Sequence, residues 1–454
     1  MPFVATNPTT GVLIATYPSL DAAGIEAVLQ RSTDAFAQWR STSFAERALL
    51  MTRAAELLEG EVPVIAEMMT REMGKTFAAA KGEVAKCAMT MRYYAEHAEA
   101  MLASETIRTS GSSSGVRFDP IGAVLAIMPW NFPLWQAIRF AAPTLMAGNV
   151  GILKHAPNVP ACAEFLGQLF RRAGFPEGVF QNAFIEVEDI EGVIADPRIA
   201  AVTLTGSERA GRSVAEIAGR NLKKCVLELG GSDAFIVAES ANLDDVIPFA
   251  VTARVQNNGQ SCIASKRFIV VASRAEEFTA RFAQAMAEVN VGDPIEASTI
   301  VGPLVSAAQR DALRDQVSDA LAKGARALTG GAPLDGPGFF YPPTVLVNVD
   351  MASRAGCEEL FGPVAVVHVV PDLHAAIELA NATPWGLGGS IWATDQREID
   401  EAISRMEAGM VFANAVVAST PELPFGGVKN SGFGRELSTF GIREFVNVKA
   451  YYQA

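Results

Sequence analysis

The chain has 454 residues, half of them apolar and 19% charged, enough for a large buried core and far from the composition of a disordered segment. Thirty-seven Lys and Arg against fifty Asp and Glu leave a net charge of −13, which disfavours nucleic acid or an anionic membrane as the main partner. Five scattered cysteines without a CxxC pair and four scattered histidines argue against a disulfide framework and against a metal site.

The first residues lack the basic and apolar regions of a secretory signal. The most apolar stretch, 122–153, is interrupted by Pro129, Asn131, Pro133, Gln136, Arg139 and Pro143, so no membrane span is expected and the protein is expected to be cytoplasmic. Residues 21–103 carry apolar side chains at three- and four-residue spacing, the pattern of amphipathic helices. A polar run, 110–115, then reads as an exposed hairpin.

From there strands and helices alternate: strands at 123–128, 150–153, 201–205 and 225–229, with helices at 133–146, 161–173 and 208–218 between them. After Gly230-Gly231 the alternation restarts with strand 234–237, helix 243–256, strand 267–271 and helix 275–287, and it continues to about 412. Such βαβ alternation predicts an α/β protein with mainly parallel, doubly wound sheets in two domains. Residues 445–452 read as a terminal strand.

Gly206-Ser207 lies between a strand and a helix, a geometry that suits a phosphate at a helix N-terminus, but the GxxxxG spacing also fits an ordinary βα turn. Cys262 sits in the polar loop 256–265 before the strand at 267–271, so its thiol is either an inert core group or a nucleophile whose thiolate fraction must be raised. Glu228 ends an apolar strand just before two glycines. Partial desolvation there raises a carboxyl pKa, as a general base requires, whereas a surface or salt-bridged glutamate is the bland alternative.

The peptides Leu227-Glu228-Leu229-Gly230-Gly231-Ser232 and Gly259-Gln260-Ser261-Cys262, with Glu228 and Cys262 thirty-four residues apart, resemble the two signature sites of the NAD(P)-dependent aldehyde dehydrogenase superfamily. The resemblance extends from Asn7-Pro8-Thr9-Thr10-Gly11 to the peptide that starts at Pro424-Phe425-Gly426-Gly427. It implies an aldehyde dehydrogenase-like fold with a dinucleotide-binding domain (1–103 and 122–230), a catalytic domain (231–425), and a β-hairpin oligomerisation arm with a C-terminal tail (104–121 and 426–454). It further implies Cys262 as the nucleophile that forms a thiohemiacetal and then a thioester, Glu228 as the base for hydrolysis, and the Asn131 amide with the Cys262 N–H as oxyanion donors.

The same resemblance assigns Lys154 to the adenosine ribose, Gly206 and Ser207 to the pyrophosphate, Trp130 and Leu229 to the nicotinamide, and Glu359 and Phe361 to its ribose. Many NAD-preferring members carry a glutamate three residues after the lysine, but here Pro157 stands in its place. The carboxylate that would repel a 2′-phosphate is missing, so either NADP or NAD is expected as cofactor. The peptides around Asn131 and Glu228 look most like the bacterial succinate-semialdehyde branch. Asn131, Trp135 and Arg139 follow one another at four-residue spacing, which on a helix is one face, where Arg139 either meets a substrate's distal carboxylate or forms a structural ion pair. Ser419 matches a hydroxyl placed against that carboxylate. A small aldehyde with a distal carboxylate is thus the expected partner, in a homodimer or homotetramer. A cysteine hydrolase and a non-catalytic protein on the same fold are the readings from other classes.

Overall fold

The computed structural model describes residues 3–454. An antiparallel hairpin, Phe3–Thr6 with Leu13–Tyr17, precedes four helices: Ala22–Trp39, Phe44–Gly60, Val62–Met73 and Phe77–Met101. Local chemistry sets their ends. The Asp21 carboxylate accepts from the Gly24 N–H, Ser43 and Glu46 form a reciprocal capping box, and Gly74 closes the third helix in the left-handed conformation.

Two sheets follow. The first runs in the order Gly432–Phe433, Lys224–Glu228, Ile199–Thr205, Ala123–Met128, Val150–His155, Phe180–Asn182, parallel except for the strand at 432–433. The second runs Arg326–Thr329, Thr344–Val347, Val364–Val370, Arg267–Val271, Ala234–Val237, Gly388–Trp392, Met410–Ala413, parallel except at the first pair. Central strands such as Val150–His155 and Arg267–Val271 are buried along their whole length, as expected where helices cover both faces of a parallel sheet. The fold is mixed α/β, as the alternation predicts.

In the first sheet the chain leaves Ala123–Met128 toward one edge through Val150–His155 and Phe180–Asn182. It then returns to the other side through Ile199–Thr205. The order therefore reverses between Ala123–Met128 and Ile199–Thr205, and the crevice beyond the carboxyl ends of two such strands is where open α/β sheets bind ligands.

The polar run at 110–115 turns into strand Ser113–Pro120, which lies between Glu105–Thr106 and the terminal strand Val446–Gln453 in a three-stranded antiparallel sheet. The helix expected at 133–146 begins only at Trp135, where the Glu83 carboxylate accepts from the N–H groups of both Leu134 and Trp135, each at 2.8 Å. Asn131 therefore lies in the turn before the helix, and the expected three-residue helical face reduces to Trp135 and Arg139. Every residue of that helix is buried, and Gln136 in its first turn lines the cleft described below.

Candidate active site

A cleft of about 280 Å³ opens at the switch point of the first sheet. Its walls combine the turn after Ala123–Met128 (Trp130, Asn131), the turn after Ile199–Thr205 (Gly206, Ser207), the end of Lys224–Glu228 (Glu228, Leu229), and Cys262, Glu359 and Phe361 from the second half of the chain. Nine of the residues expected at the site from the sequence thus share one cavity.

The loop that carries Cys262 is held in an unusual backbone conformation. Asn257, Asn258 and Gly259 all have positive φ (53°, 59° and 73°), a costly run for asparagine unless its side chains repay it. They do so. The Asn257 amide donates to the carbonyls of Asn131 (2.7 Å) and Gln260 (3.0 Å), and the Asn258 amide donates to those of Gly74 (2.8 Å) and Pro303 (3.0 Å). At Gly259 a Cβ would stand 2.3 Å from the Gly362 carbonyl carbon, so only glycine admits this packing. Buried Lys266 completes the clamp by donating to the carbonyls of Ser261 (3.0 Å) and Cys262. The expected polar loop is thus a buried framework. Asn-Asn-Gly, three residues tolerant of left-handed backbone, was its sequence signal.

Burial pushes the Cys262 thiol up to about 12, while Lys266 and Arg139 draw it down and Glu359 and Asp233 oppose them. The resting thiol is protonated at neutral pH. Alkylation of Cys262 by iodoacetamide in the ligand-free protein is therefore expected to accelerate about tenfold per pH unit from about pH 7 to about 9 without levelling, because only the thiolate reacts. Mass spectrometry of the Cys262 peptide checks this apart from exposed Cys357; a plateau in that range would contradict it.

Glu228 is 2% exposed and neither carboxyl oxygen has a hydrogen-bond partner among the described residues. Desolvation raises its pKa well above the carboxylate range, Glu436 adds to this, and Arg139 and Arg435 pull the other way. The Asn131 amide donates to the Gln260 carbonyl at 3.0 Å, and its oxygen accepts from Gln136 at 3.1 Å. That leaves the second amide hydrogen of Asn131 for another acceptor.

On the cofactor side, Ser207 caps helix Glu208–Arg220 by accepting from the Ala210 N–H, and the remaining first-turn N–H groups have no intrahelical acceptor. Trp130 and Phe361 meet edge to face with centroids 5.6 Å apart. Glu359 pairs with Lys266 at 3.2 Å and accepts from the Gly231 N–H, and a Cβ on Gly230 would lie 2.4 Å from its carboxylate. Lys154 and Pro157 lie outside the cleft walls. Lys154 is 7% exposed, rests over Phe3 at 5.8 Å and has no ion-pair or hydrogen-bond partner among the described residues. Its ammonium is held below the usual lysine range by burial. Exposed Pro157 accepts from the Val4 N–H through its carbonyl. An unpartnered lysine and a helix N-terminus on one sheet edge fit a dinucleotide phosphate-ribose chain.

The substrate-side residues are arranged differently from expectation. Arg139, 3% exposed, is ion-paired with buried Glu436, lies over the Phe425 ring at 4.4 Å and donates to Thr205 Oγ1 at 3.3 Å. The ion pair weighed for Arg139 is present, with Glu436 as its partner. Ser419 lines a separate hollow of about 170 Å³ with Phe412 and Phe425, and Trp135 is buried. The residues that sequence reasoning missed are Glu83, Lys86 and Glu436, charged groups recruited from distant segments, and Lys266, four residues after Cys262.

The aldehyde dehydrogenase family pattern matches residues 2–451. The chain belongs to the aldehyde dehydrogenase family. Among curated relatives, the succinate-semialdehyde dehydrogenase [NADP(+)] 1 of Mycobacterium tuberculosis (strain ATCC 25618 / H37Rv) is 51% identical over 457 residues, spanning all of both chains. Among solved structures, succinic semialdehyde dehydrogenase from Streptococcus pyogenes in complex with NADP+ superposes with a TM-score of 0.97 at 38% identity, covering 99% of each chain. Succinate-semialdehyde dehydrogenase from Burkholderia pseudomallei gives 0.96 at 34% identity, covering 99% of this chain and 94% of that one. This aldehyde dehydrogenase has no helix among its described residues long and apolar enough to cross a membrane, and no group of three or more potential metal ligands among them.

Proposed function

We propose that this aldehyde dehydrogenase oxidises succinate semialdehyde to succinate. The observation that carries the chemistry is the single cleft that joins Cys262, Glu228 and Asn131 to the cofactor-side residues; the substrate rests on the full-length relatives. Cys262 gives up its thiol proton to water, Sγ attacks the aldehyde carbon, and the Asn131 amide and Cys262 N–H donate to the oxygen on which negative charge develops. The nicotinamide, when bound, supplies the hydride acceptor. Glu228, once deprotonated, takes a proton from the water that attacks the Cys262 thioester, and the thiolate leaves with release of the acid.

Lys154, Gly206, Ser207, Glu359 and Phe361 are the groups proposed to hold the cofactor. NADP is the proposed cofactor, with NAD also accepted, since Pro157 brings neither a repelling carboxylate nor an attracting donor. The first sheet and its helices are read as the cofactor domain and the second as the catalytic domain. Strand Val446–Gln453, paired on one edge only, is read as part of the arm of a cytoplasmic homodimer or homotetramer.

The test is nicotinamide reduction with succinate semialdehyde, acetaldehyde and butyraldehyde, each with NADP and NAD. A kcat/KM for succinate semialdehyde at least about a hundredfold above the uncharged aldehydes is expected, the signature of recognition of a distal charge. Comparable values would leave the dehydrogenase chemistry and remove the substrate.

A further inference from the structure

Gln136, in the first turn of helix Trp135–Met146, is 3% exposed and lines the same cleft as Cys262, Glu228 and Asn131. Its side-chain Nε2 donates to Asn131 Oδ1 at 3.1 Å, and its Oε1 is buried without a hydrogen-bond partner among the described residues. A buried amide with one end unsatisfied is costly. The one side-chain bond that Gln136 makes in return goes to Asn131.

We propose that Gln136 is a positioning residue for the oxyanion donor: it locks the Asn131 amide with Nδ2 turned to the reacting oxygen. The proposal rests on the Cys262 chemistry proposed above and adds to it the residue that sets the donor's orientation.

Asn131 is held at three points. Its backbone carbonyl accepts from Asn257 Nδ2 at 2.7 Å, its own Nδ2 donates to the Gln260 carbonyl at 3.0 Å, and its Oδ1 accepts from Gln136. The first of these fixes only the backbone. The Gln260 carbonyl also accepts from Asn257 Nδ2 at 3.0 Å, and a single bond to that shared acceptor leaves the Asn131 amide free to rock about χ2, a broad torsion with two nearly equivalent orientations. A half-turn about χ2 would set Oδ1 against the Gln260 carbonyl and Nδ2 against Gln136 Nε2, two repulsions at once. With Gln136 in place the plane of the amide is fixed from both sides, and the second Nδ2 hydrogen keeps one direction. Donation into Oδ1 also polarises the amide, which makes that free N–H a stronger donor. A donor held in this way stabilises developing charge without reorienting at the moment of reaction.

Single-turnover NADPH formation, followed by stopped-flow absorbance with the aldehyde that the wild type turns over best, tests the proposal in full-length wild type, Gln136→Met, Asn131→Ala and the double variant. Asn131→Ala should slow the reaction by about 10²- to 10³-fold, the cost of one oxyanion donor. Gln136→Met keeps the length of the side chain but offers no donor. It should slow the reaction at least about fivefold on its own and less than about twofold beside Asn131→Ala, because it acts only through Asn131. A smaller loss in Gln136→Met, or losses that multiply in the double variant, overturn the proposal and leave the Cys262 chemistry standing. A rate in Asn131→Ala within about threefold of wild type removes the oxyanion donor itself, and the proposal with it.

Alkylation of Cys262 by iodoacetamide separates positioning from a general disturbance of the cleft. It is a direct displacement in which no oxyanion forms, so its rate in Gln136→Met should stay within about twofold of wild type at a given pH. A larger loss overturns the proposal. Should Gln136→Met fail to fold, Gln136→Leu takes its place in the same cycle. Failure of both to fold overturns the proposal, because the role assigned to Gln136 lies in the cleft and not in stability.

Discussion

Cys262→Ser is expected to lower kcat by about 10⁴-fold or more while leaving the dissociation constant for NADP within about threefold of wild type. The reason lies in what surrounds the thiol. Burial disfavours its anion, and the nearby cations Lys266 and Arg139 only partly offset this. A hydroxyl is intrinsically far harder to ionise than a thiol, and burial also disfavours the anion of Glu228, the carboxyl that shares its cleft. The loop should survive the change, since Asn257, Asn258 and Lys266 clamp it through backbone carbonyls and not through the sulfur. Steady-state rates at saturating succinate semialdehyde, together with a fluorescence titration of NADP, measure both quantities. A loss smaller than about tenfold would remove Cys262 from the nucleophile's role.

Glu228→Gln should separate the two halves of the reaction. A glutamine fills the same buried space but takes no proton, so thioester formation and its burst of NADPH persist while steady-state turnover falls by about 10²- to 10⁴-fold. The pH dependence carries the sign of the shift. Desolvation, aided by Glu436, raises the Glu228 pKa, so the basic carboxylate becomes more available as pH rises, and wild-type deacylation should climb with pH. In the variant that ascending limb should vanish. Stopped-flow absorbance of NADPH measures burst and steady phase together; a variant with no burst, or with an unimpaired steady phase, would remove the hydrolytic role from Glu228.

Much of this site was legible because the relevant signals are local. The strands at Ala123–Met128, Ala234–Val237 and Arg267–Val271 lie where continuous apolar runs predict them, since a strand buried on both faces has no polar side to interrupt the run. The carboxyl at a strand end before two glycines left both a desolvated and a surface or salt-bridged Glu228 open, and the structure buries it without a hydrogen-bond partner among the described residues. The placement of Asn131 on a helical face failed for an identifiable reason. Four-residue spacing says which residues would align if a helix were present, but Glu83 accepts from the Leu134 and Trp135 N–H groups and sets the helix start after Asn131.

By itself, then, the sequence determined the α/β alternation, the loop that carries Cys262, and the residue types lining the cleft, because these depend on neighbours along the chain. Tertiary structure alone decided which charges meet. Arg139 is paired with Glu436 and Lys86 with Ser419, a residue 333 positions away, and helix 135–146 is capped by a glutamate 51 positions before Leu134. A buried charge must find its partner wherever the fold brings one within hydrogen-bond reach, and no spacing or periodicity encodes that distance.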